Sequence, residues 1–186
     1  MATFPTLTMT RADWQRLRDK HKVPKGAAAK VSIGDALELV TKTATMPTIA
    51  KHEAATVALI KDLDLYAKSL KGGKHAAFAT VVLDKVQDPA KNHLKLLQTR
   101  KIAAGGYVGA LKAAAKAVEA EADRKVVLTA FEKIDNMVKV QAIFDPAAWK
   151  KKATASRVAV ASLESGKKLD ASGYEALKKA LEALKP

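Results

Sequence analysis

Cysteine is absent from this chain of 186 residues. Its absence removes disulfides, thiolate nucleophiles and Cys-ligated zinc together, and fits a reducing compartment without demanding one. Glycine (9 residues) and proline (6) are few and aromatics make up only 5%, so helix breakers and aromatic strand formers are both scarce. No apolar run approaches the ~20 residues needed to span a bilayer. The longest uncharged stretch near the middle, Ile102 to Leu111, is interrupted by Gly105, Gly106 and Gly109. Residues Met1 to Thr8 carry neither a basic segment nor an apolar one of the export-signal kind. The expectation is a soluble chain without a transmembrane segment, cytoplasmic by default.

Alanine and lysine dominate what is there, and both are strong helix formers. The two runs closest to a strand, Thr80 to Leu83 and Arg157 to Val160, sit inside longer patterns with helical period. These observations predict an all-α fold, an irregular up-and-down helical bundle of about six to eight helices with no sheet. Residues 1–186 read as one helical domain: a basic N-terminal helix and connection over 1–30, a main bundle over 31–166, and a linker with a peripheral amphipathic helix over 167–186.

Local signals place the helix boundaries. Thr10 suits an N-cap with Asp13 three residues on, Trp14 and Leu17 share a face, and Pro24 and Gly26 end the element near residue 22. Ser32 with Asp35 opens a second helix, which Pro47 stops. Pro47 also suits the first turn of a third helix reaching Gly72-Gly73. A fourth is expected from about Lys74 to Gln87. Asp88-Pro89 then marks a new helix or a kink, and Gly105-Gly106 a break. From Tyr107 the apolar positions Val108, Leu111, Ala115, Val118, Ala122, Val126, Ala130, Ile134 and Met137 recur at threes and fours. They predict one continuous helix of about 37 residues, roughly 55 Å long, with Asp123 as the capping residue of a second helix in the alternative reading. Asp145-Pro146 starts the next helix and Gly166 ends it. Ser172 and Glu175 form a capping box for the last, lined by Tyr174, Leu177, Leu181 and Leu184.

Motif chemistry is sparse. The four histidines, His21, His52, His75 and His93, are far apart, and His52-Glu53 is followed by Thr56 where a zincin motif requires His. No Glu-x-x-His pair of the di-iron kind occurs. No metal or cofactor is expected, and the histidines read as exposed or capping residues. Neither Pro24-Lys25-Gly26 nor Gly72-Gly73-Lys74 fits a phosphate loop, and Gly105 with Gly109 reads as a place of close backbone packing. Ser32, Ser172 and Thr10 are explained as caps, which leaves no nucleophile–base pair to rank. Trp14 and Trp149 each begin a helix and read as core anchors.

Charge is the unusual global property. The formal net charge is +14, spread almost evenly along the chain: +4 over 1–62, +5 over 63–124 and +5 over 125–186. No acid occurs from Pro89 to Val118, a stretch holding Lys91, Lys95, Arg100, Lys101, Lys112 and Lys116. A second acid-free stretch, Pro146 to Leu163, holds Lys150, Lys151, Lys152 and Arg157. These ten residues are the candidate polyanion contacts. Only six residues are arginine, and arginine supplies the commonest base-specific contact, so any nucleic-acid binding is expected to be backbone-directed. The leading expectation is a non-enzymatic protein–protein interaction or structural module, with a protein partner or self-association. A basic helical nucleic-acid binder is the alternative, and an enzyme or cofactor binder with a site not visible in sequence is the third.

Overall fold

The computed structural model describes residues 7–23, 32–42, 44–140, 144, 146–166 and 169–186, and among them there are helices and no strand. The α-helices are α1 (Arg11–Lys20), α2 (Ser32–Val40), α3 (Ile49–Leu70), α4 (Ala76–Val82), α5 (Asp88–Glu119), α6 (Arg124–Val140), α7 (Pro146–Glu164) and α8 (Ala171–Leu184). A π-helical turn, Leu83–Gln87, joins α4 to α5. The all-α expectation holds. No helix among the described residues is long and apolar enough to cross a membrane. Pro24, Gly26 and Asp145, and the Ser32 cap, lie outside what is described.

The helices pack as two compact units: Met1–Ala44 with Thr48–Thr99, and Thr45–Pro47 with Arg100–Pro186. The first unit closes on α1, α2, α3, α4 and the start of α5. Its core gathers Trp14, Leu37, Leu59, Leu63, Tyr66, Phe78, Val82 and Val86. Trp14 lies 5.7 Å edge-on from Tyr66 and 6.1 Å stacked from Phe78, geometries that suit the aromatic quadrupole. The reciprocal cap of α1 forms as its residue types require. Thr10 Oγ1 accepts from the Asp13 N–H at 3.1 Å, and the Asp13 carboxylate accepts from the Thr10 N–H at 3.0 Å.

Asp88-Pro89 stands at the start of α5, where the sequence places a new helix or a kink, and the change there is a widened turn rather than an interruption. A proline inside a helix lacks its N–H and pushes away the carbonyl four residues back. The preceding turn widens instead, and the Asp88 N–H donates to Leu83 O, five residues earlier. Helical structure therefore continues from α4 into α5. Gln87, buried by this turn, donates to the Ile60 carbonyl at 3.2 Å and ties the turn to α3.

The second unit corrects the sequence expectation in three places. First, Gly105-Gly106 does not break α5, which runs through both. A glycine costs about 1 kcal/mol against alanine in a helix, and burial of Ala104, Tyr107, Ala110 and Leu111 around the pair outweighs it. Close packing falls on Gly106, where an added Cβ would meet Met137 Cε at 3.0 Å. Gly105 and Gly109 have nothing within 4 Å.

Second, residues 107–143 are not one helix. Glu121 turns to φ 46°, the Ala122 N–H donates to Ala117 O at 2.9 Å and the Glu121 N–H to Val118 O at 3.2 Å. This is a Schellman stop with Glu where glycine is usual. The Asp123 carbonyl then accepts from Val126 and Val127 to begin α6. The break shifts the phase, so Val127 is buried and Val126 is 54% exposed, while Val118 and Ile134 are fully buried. Third, α8 starts two residues earlier than the Ser172 cap predicts: Asp170 caps it, its carboxylate accepting from the Gly173 N–H at 2.8 Å.

Long-range side chains close the helix ends of this unit. Tyr107 Oη donates to Leu184 O at 2.6 Å, Arg124 Nη1 to Leu163 O at 2.7 Å, Trp149 Nε1 to Val138 O at 2.8 Å and Tyr174 Oη to Ala122 O at 2.7 Å. Tyr174, Leu177, Leu181 and Leu184 bring α8 into the same core as Phe131, Ile134 and Leu163.

Because the positions above Gly105 and Gly109 are open, alanine there adds helix propensity without a clash. Gly105→Ala and Gly109→Ala should each stabilise the protein by about 0.8–1 kcal/mol. Gly106→Ala should gain less, because Met137 must move. Urea denaturation midpoints check the order; a loss at Gly109 would show that its backbone is not helical.

Candidate functional site

Successive residues of an α-helix are rotated by about 100°. On that geometry Lys101, Ile102, Gly105, Gly109, Lys112 and Lys116 of α5 fall within an arc of about 100°, and all six are exposed. The buried residues Ala104, Tyr107, Ala110, Leu111, Ala114 and Val118 occupy the opposite side. Arg100 falls on that buried side rather than with the lysines. It is half-buried, and desolvation pulls its pKa below the ordinary guanidinium value. The α5 candidates in the second unit therefore reduce to three lysines on one exposed strip, with Ile102 at its edge.

That edge residue was missed by sequence reasoning. Ile102 is 79% exposed, more than any other large apolar residue described. Reading the helix as broken at Gly105-Gly106 hides it, because the rotation linking Ile102 to Lys112 and Lys116 exists only if the helix is continuous. On the first unit's part of α5, Lys91 and Lys95 are exposed, and Lys91 is paired with Asp88 at 3.0 Å. An open concavity of about 530 Å³ beside them is lined by Asp88, Lys91, Asn92, Leu94, Lys95 and Gln98, all from this one helix. It encloses nothing.

The α7 triplet separates by rotation. Lys150, Lys151 and Arg157 are exposed, with Lys150 and Arg157 nearly in line. Lys152 is corrected from the candidate list: it is only 7% exposed. Its ammonium group donates to Leu184 O at 3.3 Å and to Lys185 O, and lies 5.4 Å from the Phe144 ring centroid. A cation at the carbonyl end of α8 complements the helix dipole and supplies donors that the last carbonyls lack. It is a cap, and it cannot reach a phosphate outside.

Two histidines depart from expectation: His52 and His93 are buried. His21 and His75 stand at cap positions, ending α1 and preceding α4, and His21 packs at 4.9 Å against Phe78. No group of three or more His, Cys, Asp or Glu side chains placed to hold a metal occurs among the described residues. The interior polar contact Ser156 Oγ to Asp135 Oδ1, at 2.7 Å, links α7 to α6 across the core. Comparison with family models, curated proteins and solved structures finds no match to this chain.

Two outcomes follow. Lys152→Gln should destabilise the fold by about 1–3 kcal/mol, the range for leaving buried polar groups unsatisfied, whereas Lys150→Gln and Lys151→Gln should stay within about 0.5 kcal/mol. Equal effects in guanidinium denaturation would contradict the division. His52 gives a pH signature. Burial, assisted by Lys51, lowers its pKa from the ordinary 6.5. Above 6.5 both folded and unfolded chains hold it neutral. Below, the unfolded chain takes the proton first, so stability falls as pH drops from about 6.5 toward the lower folded value. His52→Leu should flatten that part of the stability–pH curve, and an unchanged slope would mean that His52 protonates freely in the folded protein.

Proposed function

We propose that the chain is a non-enzymatic helical interaction module, and that it binds its partner through the outward face of α5 in the second unit. The observation that carries this reading is Ile102, 79% exposed at the edge of a face that also holds Lys112 and Lys116. Covering this side chain on binding would remove apolar surface from water. The interior supports the reading from the other side. Its long polar side chains, Tyr107, Trp149, Lys152, Tyr174 and Arg124, are each engaged with a helix-end carbonyl, so reach and hydrogen-bonding capacity serve the fold.

A second reading, backbone-directed nucleic-acid binding, is favoured by the exposed cations Lys112, Lys116, Lys150, Lys151 and Arg157, none of which has an acid in its own stretch of sequence. Lysine provides point charges rather than a bidentate fork, so such binding would be weak and indifferent to sequence.

A photo-crosslinking residue placed at position 102, and separately at position 151, in cells that express the chain distinguishes the two. A discrete protein adduct from position 102, with little from 151, is the expected result. Nucleic-acid adducts from both positions would replace the first reading by the second, and no adduct from either would remove both.

A further inference from the structure

Sulfur in this chain is confined to thioethers: there are 4 methionines and no cysteine. A two-electron oxidant that reaches the protein meets no competing thiol, so methionine takes the oxidation. Met9, Met46 and Met137 are all partly buried. Met9 packs against the core of the first unit, and Met46 and Met137 pack against that of the second.

Met137 is distinguished by where its end group sits. Its Cε lies 3.0 Å from where a Cβ on Gly106 would be, whereas Gly105 and Gly109 have no atom within 4 Å. The methyl group therefore fills the space that the missing side chain leaves on α5, and a thioether is the adaptable side chain for such a gap. Ile134 and Val138, close to Met137 on α6, are fully buried. The seat lies at the margin of the core, where solvent still reaches part of Met137. Gly106 is inside α5 with helix on both sides, so its N–H is committed to the helix's own ladder and is no donor to a new group.

We propose that Met137 is a reversible oxidation site, and that its sulfoxide loosens the packing of α6 on α5 in the second unit. A lone pair on Sδ attacks the outer oxygen of a hydroperoxide. The S–O bond forms as the O–O bond breaks, and the proton of the attacked oxygen passes to the leaving one. The sulfur is oxidised by two electrons, and the peroxide is reduced to an alcohol, or to water from hydrogen peroxide. The product is polar and chiral where the thioether was apolar. Its oxygen turns either toward Gly106, where it is buried without a donor, or toward water, which draws the methyl from its seat. A thiol-dependent methionine sulfoxide reductase returns the thioether.

The test treats the full chain with hydrogen peroxide, counts sulfoxide at each methionine by peptide mass spectrometry, and reads the Tm by circular dichroism. Two variants accompany it: Met137→Leu, a swap that packed cores tolerate, and Met137→Gln, which carries a polar end permanently. Oxidised wild type should melt at least about 4 °C lower than untreated protein, and reductase with a thiol should restore it. Met137→Leu should keep its own Tm under the same treatment although its other methionines are oxidised, and Met137→Gln should melt low before any peroxide. Three results overturn the assignment: a Met137 that stays unmodified at a dose that oxidises Met9 and Met46, an unchanged Tm with Met137 fully oxidised, or an equal peroxide-induced loss in Met137→Leu.

Discussion

The last four carbonyls of a helix have no partner within it, and in the second unit that requirement organises the packing. Tyr107 from α5 and Lys152 from α7 reach the end of α8; Arg124 from α6 reaches the end of α7; Trp149 from α7 reaches the end of α6; Tyr174 from α8 reaches the turn after α5. Every one of these donors comes from a different helix than its acceptor. Helix length and helix position are thereby coupled: a helix that ended one residue sooner would present a different carbonyl to a donor fixed elsewhere. Hydrophobic burial of Phe131, Ile134, Leu163 and Leu184 provides most of the driving force, but burial is indifferent to small sliding movements, and the capping donors are not.

The same arrangement separates interior from surface chemistry. Side chains that elsewhere make substrate contacts, such as tyrosine, tryptophan, arginine and a buried lysine, here hold the framework together. The outward faces are left with lysines, carboxylates, small residues and isolated apolar side chains.

Much of the fold was legible in the sequence because periodicity and capping are local. Thr10 with Asp13, the end of α3 before Gly72-Gly73, the start of α7 at Pro146 and the Gly166 stop at φ 77° follow from residue types at fixed spacing. The failures share a cause, which is that tertiary packing decided between local options. Gly105 and Gly106 are breakers by propensity, but the buried residues around them hold the helix. Glu121 is an ordinary helix former, yet it takes the left-handed conformation where the chain must turn. Of the candidate contacts, Lys112, Lys116, Lys150, Lys151 and Arg157 stand at the surface as an acid-free stretch suggests. Arg100 and Lys152 do not, since a cation count carries no rotation angle. Ile102 needed the continuous helix before its exposure had any meaning.

Lys150, Lys151 and Lys152 are identical in sequence and differ in chemical accessibility. An amine must be both exposed and deprotonated to react with an acylating reagent. The first two meet that condition on the surface; the third is sealed beneath Leu184 and Lys185. Its acylation therefore waits on local opening of the end of α8, and the ratio of modification at Lys152 to that at Lys151 becomes a clock for that opening. A charge that cannot touch an outside partner serves instead as an internal gauge of how often the last helix lets go.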